Sequence, residues 1–423
     1  MPTRTIFILA VGTLIGSLFA VYAGGSGERT TNDTGAPGAD REAQAIAQPR
    51  RVRSRPPSGD PPVPSAQLPL NLRGQTPPRG TEREFRTDFS RATISYADIL
   101  SGGPPKDGIP ALDVPTFVSI TDASTWIEDN EAVLVVSHDE AAHIYPLQVL
   151  TWHEIVNDVV GDLPVAVTYC PLCNTGVAFE RQIGEAVLDF GTTGRLRFSN
   201  LVMYDRQTES WWQQADGRGV AGFYAGSRLQ LYPVLMLPFA EAITAFPHAI
   251  VLSRDTGFNR RYGANPYVGY DTSERPFLFQ GPEINGAYRP LERVISIENN
   301  GAEHAIAYPV LEAAGAINID IGGDPIAVLW EAGTASALDQ ATVAGGSDIG
   351  SANAFFARDE AGRILTFERR GGRIRDEQTD SVWNITGQAI DGELAGQRLV
   401  PATAIQHFWF SYSAFAASNS VFQ

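Results

Sequence analysis

Along most of the chain the apolar residues come in short runs, without the three-and-four spacing of amphipathic helices. Residues 132–137 (AVLVVS), 164–169 (PVAVTY), 176–179 (GVAF) and 186–190 (AVLDF) are short, rich in valine and bounded by Gly, Pro or Asn. That is the composition and punctuation of strands. Ile183-Gly184-Glu185 reads as the hairpin turn between the last two. Helical spacing is confined to 147–156 and 237–245. The pattern predicts a β-rich α+β fold, antiparallel in the main, with a few short helices.

The pattern also repeats. Tyr145-Pro146 returns as Tyr308-Pro309, and PVAV at 164–167 as PIAV at 325–328. DRQTESWW at 205–212 returns as DEQTDSVW at 376–383, AGSRL at 225–229 as AGQRL at 395–399, and Ala245-Phe246 as Ala414-Phe415. Ordered landmarks of this kind predict two degenerate copies of one unit, residues 85–252 and 293–423. The Gly-, Asn- and Tyr-rich stretch 253–292 between them reads as a structured connector.

The beginning of the chain has a different texture. Between Arg4 and Glu28 there is no charge, and TIFILAVGTLIGSLFAVYAGG fills the interval. A helix needs about 20 such residues to span a bilayer, and Val21-Tyr22-Ala23 offers a small-residue cleavage pattern. Residues 1–24 therefore predict a signal peptide or a membrane anchor. The body is expected outside the cytoplasm, in the periplasm or at the cell surface, touching the membrane through this segment if it is retained. Residues 25–84, rich in Pro, Gly, Ser and Arg, predict a disordered linker that buries too little apolar surface to offset its ordering.

Charge narrows the partners. The chain carries −16 overall, and because 25–84 is net basic the body is more acidic still. Polyanion binding needs clustered Lys and Arg, so nucleic acid is excluded as an expected partner. The single lysine, Lys106, lies in SGGPPKDG at 101–108. That segment is a connector by composition, although its turns could cradle an anion.

Candidate chemistry concentrates in the first copy. The two cysteines of the chain, Cys170 and Cys173, form CPLC directly after the strand VAVTY. The repeat sets Cys170 against Glu331, Cys173 against Thr334 and His153 against Gly315 or Ala316, and leaves 195–204 almost without counterpart. Three readings of the pair stand open. It is a structural disulfide stapling a hairpin, a strained and reducible redox pair, or part of a soft-metal site. For metal, His153 and Met203 would join Cys170 and Cys173, a donor set suited to copper. Because a strand follows CPLC, the helix N-terminus that activates thioredoxin-like thiols is absent. His153 with the thiols could otherwise do proton chemistry. Helical spacing would put His153 and Asn157 on one face, with Glu154 and Asp158 on the adjoining one. The pair is expected at a pocket edge with Ser199, Asn200 and Met203 lining it. Asn157, Asp158, Asn174, Thr175 and Asp205 complete the candidate surroundings. Asp205 also reads as scaffold, since Asp376 repeats it.

SGGPPKDGIPALDVPTFV, YPLQVLTWHEIVND, TYCPLCNTGVAF and SNLVMYDRQTESWW together resemble the uncharacterised bacterial and archaeal domain-of-unknown-function family 3179. The resemblance runs from about Ser90 to the C-terminus. It implies an exported or membrane-tethered protein and groups His153, Cys170, Cys173, Asn174, Ser199, Asn200 and Met203 as marked positions, without an activity. Two functions follow: an extracytoplasmic thiol-redox or soft-metal protein, or a non-enzymatic binding or scaffold module in which the pair is an inert disulfide.

Overall fold

The computed structural model describes Gln48, residues 54–416 and residues 421–422. The leader and the first part of the linker lie outside the described residues. Among the described residues no helix is long and apolar enough to cross a membrane.

The first half begins with β1 (Ala132–His138), β2 (Ala141–Pro146), α1 (Leu147–His153), β3 (Ile155–Val160), β4 (Leu163–Cys170) and β5 (Thr175–Glu180). A meander follows, β6 (Phe190–Arg197), β7 (Asn200–Asp205), β8 (Trp211–Gln213) and β9 (Gly219–Ala221). The half closes with β10 (Leu235–Pro238), α2 (Phe239–Ala245) and β11 (Ile250–Leu252). β1 pairs antiparallel with β2 and β10, and β11 joins β2 in parallel. A bulge between Trp211 and Trp212 bends the β8–β9 pair.

The same succession runs through the second half. It consists of β12 (Arg293–Asn299), β13 (Ala302–Ala307), α3 (Tyr308–Ala314), β14 (Ala316–Ile321), β15 (Asp324–Glu331), β16 (Ser351–Phe356), the meander β17 (Phe367–Arg370), β18 (Arg373–Asp376), β19 (Val382–Trp383) and β20 (Ala389–Asp391), and then β21 (Ala404–Phe408), α4 (Trp409–Phe415) and β22 (Val421–Phe422). β12 pairs antiparallel with β13 and β21, β22 joins β13 in parallel, and a bulge falls between Val382 and Trp383. Side chains agree too. Asn157 clasps the backbone of Phe190 through N–H and C=O at 2.8 Å each, and Asn318 clasps Phe367 at the same distances.

The halves are laced together. β21 pairs with β5 of the first half at Gln406 and Gly176, giving an eight-stranded sheet built from both. Reciprocally, Asn353 of β16 bonds the N–H and C=O of Met236 on β10, at 3.1 Å each. Val133, Val135, Leu237 and Phe239 share one apolar cluster with Leu329, Phe355 and Trp383.

Three sequence expectations need correction. The helix expected over 147–156 stops at His153, where Glu154 turns left-handed, and 155–160 is a strand. β-Branched Ile155, Val156, Val159 and Val160 pair in register with β4, which suits them better than a helix. Asn157 and Asp158 consequently point to opposite faces of a strand. The helix expected from 237 begins at Phe239 because Leu235–Pro238 pairs with β1. The linker is not free over 54–84. Leu68 and Thr81 are buried, and Gln75 donates to the Ile94 carbonyl and accepts the Tyr96 N–H, both at 2.8 Å. Its regular elements are short, Ser65–Gln67, Leu70–Leu72 and Thr81–Glu84, and a few well-placed side chains hold the segment to the body.

Candidate functional site

β4 and β5 pair down to Cys170 and Thr175, so CPLCNT is the tip of a hairpin with a four-residue connection. Pro171–Cys173 makes one 3-10 turn, and Asn174 closes it at φ 49. The Tyr169 hydroxyl donates to Asn174 Oδ1 at 3.1 Å, and Thr175 Oγ1 donates to the Cys173 carbonyl at 3.1 Å. Both cysteines are free thiols and approach to 3.8 Å, well beyond the ~2.05 Å of a disulfide bond. They are 2% and 0% exposed, so they do not sit at the expected pocket edge.

Polar groups nonetheless converge on Cys170. Its Sγ–H points at the Ser199 carbonyl at 3.9 Å, and the Leu201 and Cys173 N–H groups donate to the sulfur. Burial, reinforced by Cys173, pushes the Cys170 thiol well above its ordinary value, and the two N–H donors oppose that rise. Glu154 is the neighbouring carboxyl. Burial, with Cys170 next, holds it well above the usual carboxylate range.

The backbone here is strained in one half only. Glu154 stands at φ 58, where the second half has Gly315 at φ 76. The equivalence is set by one bond: Tyr169 N–H donates to Glu154 O at 2.8 Å, and Trp330 N–H to Gly315 O at 2.9 Å. His153 therefore matches Ala314, one position from the alignment expected. The β6–β7 turn, Phe198-Ser199, has φ 51 and 64, and its counterpart in the shorter β17–β18 hairpin is Gly371-Gly372 at φ 60 and 75. The second hairpin is shorter at this end, so the part of 195–204 nearest the turn has no counterpart there, as expected. A left-handed residue with a side chain costs about 1–2 kcal/mol, and such costs gather at functional sites.

The connector covers this tip. The Tyr270 hydroxyl donates to the Leu172 carbonyl at 2.8 Å, and Ser199 Oγ donates to the Phe277 carbonyl. His153 is held by the same cover. Its Nδ1 donates to the Pro110 carbonyl at 2.7 Å, so Nε2 accepts from the Tyr262 hydroxyl at 2.6 Å. Both ring nitrogens are engaged away from the thiols.

Burial lowers the His153 pKa from 6.5 to about 4, with nearby Arg260 acting in the same direction. The sign follows. The unfolded chain takes up a proton that the fold refuses, so stability present above pH 6.5 is lost as pH falls toward 4. His153→Gln should flatten stability against pH in that window by about 1.4 kcal/mol per pH unit. Urea titrations across the window check it, and an unchanged slope would mean the ring titrates freely.

The remaining expected residues sort by partner. Asn200 Oδ1 accepts from Gln213 Nε2 at 2.6 Å, and its Nδ2 donates to Gln214 at 2.8 Å. Gln214 in turn reaches Thr168 and Thr175. Asn200 therefore braces the two hairpins. Asn157 and Asp205 are scaffold kept in both halves. Asp158 belongs to another cluster, accepting His143 Nδ1 and the Tyr145 hydroxyl at 2.7 Å each. Met203 packs in the core on the same face as Leu201. Among the described residues His153 does not close with Cys170 and Cys173 into the donor set expected for copper. Among the described residues, the group of three close His, Cys, Asp or Glu donors is His138, Asp139 and Asp162 at the surface, with none of Cys170, Cys173 or His153 in it. Lys106 lies 4.5 and 4.6 Å over the rings of Phe85 and Tyr204 and 3.0 Å from Glu209, so its loop holds a paired cation.

A family model matches residues 106–419, covering both halves and the connector. The chain belongs to DUF3179, a family of proteins of unknown function. No curated protein and no solved structure matches it. The buried dithiol of this DUF3179 chain has to be read from its own geometry. Tyr270 is a member that motif reasoning passes over, and Glu154 enters it only as a helical neighbour of His153. For Glu154 a signal did exist, a glycine at the matching position of the second half.

Proposed function

We propose that this chain is an extracytoplasmic thiol–disulfide protein in which Cys170 and Cys173 cycle between dithiol and disulfide. The observation that carries the reading is two free thiols 3.8 Å apart at a hairpin tip, with strained polar neighbours on one side of a molecule whose two halves share an element order. We read those halves as copies of one unit, the second having kept the scaffold and relaxed the site to glycine. The apolar run near the N-terminus supports export. Two thiols that no His, Asp or Glu donor joins among the described residues suit reversible sulfur–sulfur bonding better than a metal cage.

Equilibration of the full chain in glutathione buffers, followed by alkylation and mass analysis, tests it. The expected result is a reversible Cys170–Cys173 disulfide with a defined midpoint, lost in Cys170→Ser. Thiols that stay reduced in every buffer while copper binds stoichiometrically would replace the redox reading with the metal one. A pair that is always oxidised, and whose double serine variant loses about 2–5 kcal/mol, would make it a staple of a binding module.

A further inference from the structure

The turns of two neighbouring hairpins bring His138, Asp139 and Asp162 together at the surface. Asp139 stands in the β1–β2 turn at φ 49, and Asp162 follows Gly161, at φ 63, in the β3–β4 turn. His138 Nε2 lies 3.1 Å from Asp162 Oδ1 and 3.9 Å from Asp139 Oδ2. All three ligand atoms fall within 4.8 Å of one another. Among the described residues the ion-pair partner of both carboxylates is this histidine.

The ring is oriented from its other side. The Tyr232 hydroxyl donates its one proton to the Ser137 carbonyl at 2.9 Å, so its oxygen accepts from His138 Nδ1 at 3.0 Å. Nδ1 therefore carries the hydrogen, and Nε2 of the neutral ring turns a lone pair toward two carboxylates. Three acceptors facing one another repel, and a cation among them removes the conflict. An imidazole whose far N–H is held by an oxygen is also how metal-bound histidines are fixed.

The second half closes the same two turns with amides. Asn299 takes the place of His138, Asn300 at φ 49 that of Asp139, and Gly322-Gly323 that of Gly161-Asp162. Asn299 Nδ2 donates to the Ile321 carbonyl at 2.8 Å and to Asp324 Oδ2 at 2.9 Å. Asn300 Nδ2 donates to the Gly322 carbonyl at 3.1 Å and to Asp324 Oδ2 at 3.2 Å. The first half has neither amide and one more carboxylate at this place, so a cation there does what amide hydrogens do in the second half.

We propose that His138 Nε2, Asp139 and Asp162 bind one zinc ion, or a divalent ion of the same chemistry, with water completing its coordination. The site is separate from the dithiol and does not depend on it. An imidazole nitrogen beside carboxylates suits zinc, whereas calcium and magnesium prefer oxygen alone. Two ligands about 2.1 Å from one zinc ion stand at most about 4.2 Å apart, and 3.1 and 3.9 Å lie inside that limit. The Asp139 and Asp162 side chains are 85% and 92% exposed, so the ion enters from solvent without opening the fold. Once bound, it ties the two turns together. The rival occupant is a proton on Nε2, which would make the ring an ion-pair partner of the same carboxylates.

The test titrates the full chain with zinc chloride near neutrality, read by calorimetry and by melting temperature. One ion should bind per chain and raise the melting temperature. His138→Asn and Asp162→Gly, the residues of the second half, should each weaken binding by about a hundredfold. Tyr232→Phe keeps every ligand and removes the oxygen that holds Nδ1, and should weaken binding by about tenfold. Cys170→Ser should leave it unchanged. A wild-type chain that takes up no zinc overturns the proposal, and the proton is then the occupant. Uptake that survives His138→Asn but is lost in Cys170→Ser overturns it in favour of a thiol site. Calcium or magnesium bound as tightly as zinc also overturns it, because the imidazole would then contribute nothing.

Discussion

Asp271→Ala is expected to destabilise the fold by about 3–5 kcal/mol and to open the cysteine pair to thiol reagents. Asp271 lies in the connector and meets Arg293, the first residue of β12, at 2.7 Å, both side chains under a tenth exposed. Ser336 completes the cluster, donating to Asp271 Oδ2 at 2.6 Å and accepting from Arg293 Nη2 at 2.8 Å. Removing the carboxylate strands a guanidinium against the face of Phe408, 5.4 Å from the ring centre. An uncompensated buried charge is the expensive outcome; the intact pair adds far less net stability than its loss costs. Arg293→Met with Asp271→Ala should therefore recover much of the loss, and a double-mutant cycle by urea denaturation reads that directly.

The functional half of the same prediction follows from chain position. Asp271 adjoins Tyr270, whose hydroxyl caps the CPLC turn at Leu172. Freed from Arg293, the connector should lift more often, and reaction of Cys170 and Cys173 with a disulfide reagent should accelerate under native conditions. Normal stability in Asp271→Ala would show the ion pair to be solvated. Lost stability with unchanged thiol protection would show that Tyr270 is held independently.

Much of the strand framework was legible, because valine-rich runs between glycines and prolines leave few alternatives. What escaped was set by tertiary contacts. Apolar spacing carries through from α1 into Ile155 and Val156, so nothing local marks Glu154 as a left-handed cap where glycine is usual. Only Gly315 in the other half reveals what that backbone prefers. His153 was legible as unusual, yet its partners, Pro110 and Tyr262, come from segments 43 and 109 residues away in sequence. The cysteines were found at once, but their burial depends on a connector whose composition suggests only turns. Residues 54–84 show the reverse limit: a proline-rich stretch without periodicity still docks where the body offers it carbonyls and a seat for Leu68.

Asp205→Ala and Asp376→Ala should each destabilise the protein by about 3–5 kcal/mol, and by similar amounts. Each aspartate is fully buried and organises the turn that follows it. Asp205 accepts from the Thr208 N–H at 2.6 Å, from Thr208 Oγ1 at 2.8 Å and from Trp212 Nε1 at 2.9 Å. Asp376 accepts from the Thr379 N–H at 2.6 Å, from Thr379 Oγ1 at 2.9 Å and from Trp383 Nε1 at 2.9 Å. Alanine would leave a backbone donor and an indole N–H unpaired in the core, and unmade bonds to buried donors cost more than made ones contribute. Asparagine keeps one acceptor oxygen and should recover part of each loss. The two sites should part company in chemistry. Asp205 ends β7, the strand whose Leu201 N–H points at Cys170, so its loss should loosen that donor and alter dithiol oxidation. Asp376 ends the matching strand of the half without thiols, and its loss should leave the oxidation rate of the folded protein unchanged. Chemical denaturation and stopped-flow oxidation of the two variants decide it. If Asp376→Ala alters Cys170 chemistry as much as Asp205→Ala does, the site is not confined to the first half.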